Sequence, residues 1–256
     1  MLLLRNLVVA FSLYSKIPMP QFQWKEEDMK YNLVFLPFVG LVIGGLEYLC
    51  FMFLKRFKLP DIFAVALFSL VPLLVTGGFH LDGFVDTQDA LRSYKPKEEK
   101  LKILEDPHIG AFAVISLVTY CCAWLGALSV VWEKMDEKTA ICFGAVFVMS
   151  RILTGISSLS LDKAKKDGML KKETGNSGRG CVIVLFVELA VLLVILTYVK
   201  QMVIAAYVAE MSLFFLYYRR KTTKEFGGVT GDTAGYYLSM NELLMVMGLA
   251  LCSWIR

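Results

Sequence analysis

Long apolar stretches, separated by short polar ones, dominate the chain. Seven of them approach the roughly 20 residues that an α-helix needs to cross a hydrocarbon core of about 30 Å. They predict transmembrane helices near residues 31–54, 61–79, 110–132, 139–160, 181–199, 201–218 and 236–255. The fifth and sixth stretches have almost no linker between them, so together they predict a tight helical hairpin.

The first 17 residues form a shorter apolar stretch that carries Arg5 and Lys16. It predicts a short interfacial or re-entrant segment, with a strained eighth span as the alternative. The stretch lacks the small-x-small cleavage site of a signal peptide, so we expect it to be retained. No internal repeat and no Ser- or Pro-rich linker divides the sequence, which predicts one domain over residues 1–256.

Composition supports the membrane interpretation. Hydrophobic residues make up 57% of the chain and charged residues 20%, and the mean hydropathy is +0.59. A disordered chain lacks the apolar residues for a core, and a soluble globule needs polar residues on every element. The predicted fold class is therefore all-α: a polytopic integral membrane helical bundle of about seven helices, with the lipid bilayer as a partner.

The charges indicate an orientation. The net charge is +4, but no arginine-rich arm or basic helix stands out, so we expect no nucleic-acid partner. Most lysines and arginines lie in 20–30, 80–109, 161–180 and 219–235, which seven crossings place on one side. The positive-inside rule puts that side in the cytoplasm, which predicts a multi-pass protein of the cell membrane. The sequence leaves open whether it forms a homo-oligomer.

The most informative polar stretch contains Asp82, Asp86 and Asp89, at spacings of four and three. On a helix this spacing places the three carboxylates on one face, where they repel one another. Oxygen ligands of this kind suit Mg²⁺ or Mn²⁺, which proteins commonly hold with a few carboxylates and substrate phosphates. The alternative is a solvated acidic helix end, which explains three aspartates in register less well.

The two histidines of the chain, His80 and His108, lie at the two ends of the loop 80–109. Each is within two residues of an aspartate, His80 near Asp82 and His108 near Asp106. They are candidates for proton transfer, phosphate contact or helix capping, and the sequence does not rank these roles.

A glycine-rich turn, Gly227–Gly235, precedes the last span. Glycines allow the backbone to approach an anion closely, and Thr230, Gly231 and Asp232 add a hydroxyl, an amide and a carboxylate. The turn does not match the P-loop pattern, because no lysine follows the last glycine. The positive-inside rule alone accounts for most lysines of the basic loop 161–180. Some of them could also contact phosphates.

Ionisable residues within the predicted spans must face protein or a water-filled cleft. Arg151 is a candidate for binding a substrate phosphate, and its alternative role is to pair with one of the glutamates Glu47, Glu188 and Glu210.

Five stretches together resemble the cobalamin synthase family, the adenosylcobinamide-GDP ribazoletransferases. In chain order they are FSLYSKIPMP (11–20), FLPFVGLVIG (35–44), HLDGFVDTQDAL (80–91), EDPHIGAFAV (105–114) and GGVTGDTAG (227–235). Two positions depart from the family pattern. Ala90 stands where a glycine is common, and His108 stands where a basic residue is common, which puts the role of His108 in doubt.

The resemblance implies an Mg²⁺-dependent membrane phosphotransferase that acts late in cobalamin biosynthesis. It would join adenosylcobinamide-GDP to α-ribazole or its 5′-phosphate and release GMP. We expect His80, Asp82 and Asp86 in catalysis, and Asp82, Asp86, Asp89 and Asp232 around the metal. The expected substrate-binding residues are Asp106, His108, Arg151, Thr230 and Gly231.

Two other classes remain as alternatives. A transporter would account for the buried glutamates, but transporters usually place polar residues at the midplane and contain repeats. A relative of the enzymes that transfer phosphoalcohols from CDP-activated donors would use similar aspartates. Their motif continues with Ala-Arg after Asp-Gly, whereas Phe84 and Val85 follow Gly83 here.

Overall fold

A computed structural model describes residues 2–165, 168–175 and 177–255. Within these ranges the structure contains ten α-helices and one short 3₁₀ helix, Glu26–Met29. The α-helices are α1 (Leu2–Tyr14), α2 (Asn32–Phe57), α3 (Asp61–Thr76), α4 (Phe79–Arg92), α5 (Lys97–Ile103), α6 (Ala111–Glu133), α7 (Glu137–Ser160), α8 (Met169–Gly175), α9 (Arg179–Phe226) and α10 (Gly231–Trp254). The all-α prediction is confirmed.

Five helices are long and apolar enough to cross a membrane: α2, α6, α7, α9 and α10. The predicted span 61–79 is less regular. α3 ends at Thr76, and Gly77 and Gly78 adopt left-handed φ angles of 65° and 78°, which glycine tolerates at no steric cost. α3 and α4 meet at 93°, and they pass as a span only when taken together. The bend lies between α3 and α4, and α4 itself is amphipathic, with its aspartates on the more accessible side. We therefore place α4 at the face of the bundle rather than within a spanning segment.

α9 is two helical arms joined at Lys200, where φ is −158° and ψ is 82°. At the start of the first arm, the Cys181 thiol lies 3.7 Å from the Lys30 carbonyl oxygen, just before α2. At the junction, Lys200 Nζ donates to Thr139 Oγ1 at the start of α7, 2.7 Å away. The second arm ends beneath α4 and α5. These contacts make α9 the predicted hairpin, with two antiparallel arms.

α1 packs against α2. At 13 residues it is shorter than the roughly 20 that a span requires, which favours the short interfacial segment over the eighth span. Arg5 at its start donates to both carboxylate oxygens of Asp28, at 2.7 Å each. The N-terminal helix is thereby fixed to the 3₁₀ turn before α2.

α7 is the central helix, and most of its residues are buried. It packs against α2, α9 and α10. Small residues permit this close packing. A Cβ on Gly44 would meet the Gly144 carbonyl oxygen at 2.6 Å, so only glycine fits there. One continuous hydrophobic core runs from α1 to α10.

The long polar loops gather at one face of the bundle, as their charges predicted. The contacts that join them are Lys163–Val229, Lys165–Glu105 and Ser177–Lys30. The short connections lie at the opposite face, where Trp132 Nε1 donates to Asp61 Oδ1 at 2.8 Å. The acidic motif on α4 and the glycine-rich turn before α10 are therefore positioned at, or just beneath, the face of the long loops.

Candidate active site

α4 presents two different faces. Its buried face carries His80, Gly83, Phe84, Thr87 and Ala90. Asp82, Asp86 and Asp89 follow the other side of the helix and are more accessible. The predicted helical register of the three aspartates is therefore present.

The start of α10 lies against α4. Thr230 caps α10, since its hydroxyl accepts from the Thr233 amide at 3.1 Å. Asp232 occupies the first turn of the same helix. A Cβ on Gly83 would meet the Asp232 carbonyl oxygen at 2.7 Å. The two backbones thus touch at Gly83, which brings the fourth predicted aspartate beside the other three.

The charges of this acidic cluster (Asp82, Asp86, Asp89 and Asp232) are poorly compensated. Burial, and to a lesser extent the neighbouring carboxylates of Asp82, Asp232 and Asp89, together raise the pKa of Asp86 to about 6. Across the described ranges no salt bridge reaches Asp82, Asp86 or Asp89. The site favours an added positive charge.

The carboxylates of the acidic cluster suit Mg²⁺ better than Ca²⁺ or Zn²⁺. In residues 2–165, 168–175 and 177–255, no three His, Cys, Asp or Glu side chains converge as a ready-made metal cage. An all-protein cage of the calcium or zinc type therefore does not fit. An Mg²⁺ ion that keeps several waters and shares substrate phosphates does fit, because it needs only one or two carboxylates.

A basic cleft of about 280 Å³ adjoins the acidic cluster. Lys163, Lys165 and Lys171 line one side, and Thr230 and Gly231 line the other together with Asp82 and Asp232. Burial and the nearby Lys171 lower the pKa of Lys163. Lys166 and the side chain of Lys172, from the same predicted basic loop, lie outside the described residues. The cleft combines cations, a hydroxyl and the amide end of a helix, which suits a phosphate.

A wider cleft of about 590 Å³ lies on the other side of Asp82. Lys16, Gly77, Gly78 and Ile109 contribute to its walls. The two clefts share Phe79 and Asp82. Asp82 thus stands between a small basic space and a larger, mixed one, as a reaction centre between two substrates would require.

The family model described as cobalamin-5-phosphate synthase matches residues 6–250. The chain belongs to the cobalamin-5-phosphate synthase family. A relative from Lachnoclostridium phytofermentans, named adenosylcobinamide-GDP ribazoletransferase, is 37% identical over 242 residues, covering 94% of this chain and 91% of the relative.

Two further relatives carry the same name. One from Clostridium perfringens (strain 13) is 34% identical over 247 residues, covering 93% of this chain and 94% of the relative. One from Listeria monocytogenes is 32% identical over 254 residues, covering 97% and 98%. No solved structure matches the chain. The family resemblance and the transferase class are confirmed, and the transporter alternative is set aside.

Arg151 lies apart from the acidic cluster. It is 1% exposed, and its Nη1 donates to Glu242 Oε1 at 2.7 Å and to the Phe147 carbonyl oxygen at 2.8 Å. Arg151 therefore pairs with a glutamate, which was the alternative to binding a substrate phosphate. That glutamate is Glu242 and none of the three expected ones, Glu47, Glu188 and Glu210. The sequence missed Glu242 because nothing in the spacing links α7 to α10.

His80 also lies away from the aspartates. It is 7% exposed, and its ring stacks on Tyr14 with centroids 6.0 Å apart. Burial and the nearby Arg151 lower its pKa well below the ordinary value. In this family member the expected catalytic histidine therefore faces the bundle interior as a neutral ring, and not the space between the aspartates.

Asp106 and His108 form a local pair on the loop after α5. His108 Nδ1 lies 2.6 Å from Asp106 Oδ1, and the backbone amide and ring of His108 lower the pKa of Asp106. The His108 side chain is 89% exposed. The loop then approaches the acidic cluster, since a Cβ on Gly110 would overlap the Asp89 carboxylate. The pair stands at the rim of the site rather than inside it.

Proposed function

We propose that this protein joins adenosylcobinamide-GDP to α-ribazole or α-ribazole 5′-phosphate and releases GMP, in the last steps of cobalamin biosynthesis. Family membership supports the substrates. The observation that carries the chemistry is the contact of α4 with α10, which places the acidic cluster beside a lysine-lined cleft.

The donor's diphosphate is proposed to occupy the basic cleft. Lys163, Lys165 and Lys171 would neutralise its charge, and Thr230 and Gly231 would donate hydrogen bonds from the start of α10. The wider cleft would then hold the bulkier part of the donor. Asp106 and His108 stand at the rim, where they can contact an exposed part of either substrate.

Mg²⁺ is proposed as the cofactor. One or two carboxylates of the acidic cluster (Asp82, Asp86, Asp89 and Asp232) would hold it together with the diphosphate. When bound, it would neutralise charge on the phosphoryl oxygens and on the leaving group. The uncompensated carboxylates support this proposal, because their repulsion is relieved by a cation.

The transfer itself is a substitution at phosphorus. A ribose hydroxyl of the acceptor forms a new bond to the cobinamide-linked phosphorus, and the bond from that phosphorus to the bridging oxygen breaks. GMP leaves with the bridging oxygen. The hydroxyl proton passes to Asp82 or Asp86, whichever of the two has a free carboxylate oxygen. The attacking hydroxyl is not the 5′ one, because the 5′-phosphate would block it in one of the two acceptors.

The positive-inside rule supports a cytoplasmic location for the face of the long loops. That orientation gives water-soluble nucleotide substrates direct access to the site in the cell membrane.

The test is GMP release by the detergent-purified protein from adenosylcobinamide-GDP and α-ribazole 5′-phosphate, with Mg²⁺ or with a chelator. We expect GMP and a cobamide product only when acceptor and Mg²⁺ are both present. We also expect Asp86→Asn to lower turnover by roughly 10²–10³-fold, the size of losing one electrostatic group at a transition state.

The matched control is Glu98→Gln, on the exposed surface of α5. It removes a carboxylate charge outside the acidic cluster and should retain normal turnover. GMP release that is unaffected by the chelator would contradict the metal role, and full activity in Asp86→Asn would contradict the role of the cluster.

A further inference from the structure

A second cavity, of about 180 Å³, lies behind the buried face of α4. α3, α6, α7 and α10 surround it. One wall is aromatic, since the rings of Tyr120 and Trp124 stack with their planes 14° apart. Leu73 and Leu125 also line it and are partly exposed on the outer surface of the bundle. The cavity is therefore mostly apolar and opens between α3 and α6.

Two polar side chains at the inner end of this cavity are incompletely satisfied. His80 and Arg151 both line it, and each is more than nine-tenths buried. Within the part of the chain that the structure describes, His80 Nδ1 and Arg151 Nε have no hydrogen-bond partner. Unpaired buried polar atoms are costly, and such exceptions call for a ligand or a water molecule.

The cavity adjoins the proposed reaction site. It shares Thr76 and Leu81 with the wider cleft, and that cleft reaches Asp82. His80 stands between the cavity and Asp82 on the same helix. A molecule seated in the cavity would therefore lie next to the wider cleft, which reaches the acidic cluster.

We propose that this cavity binds an uncharged planar aromatic ring that bears a ring nitrogen, and that this ring is the base of the acceptor α-ribazole. The inference rests on the proposed function. The ring packs against Tyr120 and Trp124, its free nitrogen accepts from Arg151 Nε, and a ribose hydroxyl pairs with His80 Nδ1. The ribose then points toward Asp82.

Two other occupants fit the observations less well. A lipid acyl chain would fill the apolar walls but leave both polar atoms unpaired. A phosphate would meet mainly apolar walls, and Glu242 already balances the charge of Arg151.

The test is equilibrium dialysis of the full-length protein in detergent against three probes: α-ribazole, benzimidazole, and indene, which has nearly the shape of benzimidazole but no nitrogen. Cys121 lines the cavity, and its exposed position on α6 tolerates a larger side chain. We expect Cys121→Trp to weaken α-ribazole binding at least tenfold. The matched control is Cys122→Trp, at the next position, which is also exposed and does not line the cavity.

Benzimidazole should bind at least tenfold more tightly than indene, because only benzimidazole can accept from Arg151 Nε. Equal binding of the two rings, or equal effects of the two tryptophan variants, would overturn the inference. Retention of phospholipid that α-ribazole does not displace would also overturn it and favour the acyl chain.

Kinetics separate this inference from the proposed function. Cys121→Trp should raise KM for α-ribazole and leave KM for adenosylcobinamide-GDP unchanged. If the unmodified protein binds α-ribazole in the cavity but releases no GMP, the proposed function fails and the ring site stands. If GMP is released and Cys121→Trp leaves KM for α-ribazole unchanged, the function stands and the ring site fails.

Discussion

Two sets of charged side chains, one inside the bundle and one in the acidic cluster, differ in how their charge is compensated. Inside the bundle, Arg151 and Glu242 form an ion pair, with further hydrogen bonds from Ser150 and to Phe147. In the acidic cluster, Asp82, Asp86 and Asp89 have no salt bridge within the described residues. Charge paired within the fold serves structure, whereas charge left open points to a ligand.

The largest expected effect is a loss of stability when the buried ion pair of Arg151 and Glu242 is broken. Arg151→Met leaves the Glu242 carboxylate without its cation inside the bundle, which should cost about 3–5 kcal/mol of the free energy of unfolding. Unfolding of the purified protein in detergent, followed by circular dichroism, measures this. The double variant Arg151→Met/Glu242→Met removes both charges and should recover most of the loss. A single variant as stable as the original protein would show that the pair is not structural.

An intermediate effect is expected where the two helices touch. A Cβ at Gly83 would lie 2.7 Å from the Asp232 carbonyl oxygen and 3.0 Å from its Cα, and backbone atoms cannot move aside as a side chain can. Gly83→Ala should therefore cost about 1–3 kcal/mol in stability. It should also reduce GMP release at least tenfold by separating Asp232 from Asp82.

The matched control for that substitution is Gly126→Ala on α6. A Cβ there meets no atom within 4 Å, and alanine favours a helix over glycine by about 1 kcal/mol. This variant should be as stable as the original or more so, with normal turnover. If both alanine variants behave alike, the close contact of α4 with α10 does not position the site.

The smallest expected effect is a gain in stability, opposite in sign to the loss expected for Arg151→Met. The folded-state pKa of Asp86, about 6, lies above its ordinary value of 3.8, so the folded protein holds this proton more tightly than the unfolded chain. The resulting stability is present below pH 3.8 and is lost as the pH rises through 6. With a chelator at pH 7, Asp86→Asn should therefore gain about 1 kcal/mol, after allowance for solvent screening.

Thermal unfolding of the original protein and Asp86→Asn at several pH values measures this difference. The gain should shrink when Mg²⁺ is added, because the cation compensates the carboxylates. A loss of stability in Asp86→Asn at pH 7 would mean that the carboxylate is already paired, and the contrast between the two charged regions would disappear.

Much of the architecture could be predicted from the sequence because hydropathy alone governs it. The apolar stretches became helices, the stretch before Lys200 and the one after it became the arms of a hairpin, and the polar loops gathered at one face. The prediction of a regular span at 61–79 was less accurate, because the average hydropathy of this stretch does not reveal the turn at Gly77 and Gly78.

The site was predictable where one helix carries it and not where several meet. The spacing of Asp82, Asp86 and Asp89 fixes their common face, and the motif order brings in Asp232. His80 faces the interior because it lies about 200° around α4 from Asp82, which the helical period already implies. The pairing of Arg151 with Glu242 depends on how α7 crosses α10, and no local pattern specifies that.

The break at Lys200 has a consequence for how the chain is inserted into a membrane. Each time the chain crosses the membrane, it passes from one compartment to the other. Two points of the chain therefore lie in the same compartment only if an even number of crossings separates them. Because α9 folds back at Lys200, it crosses twice and returns to the side from which it started. If α9 were inserted as one straight crossing, the start of α10 would be delivered to the opposite compartment. Asp232 would then be separated from Asp82 by the full thickness of the bilayer.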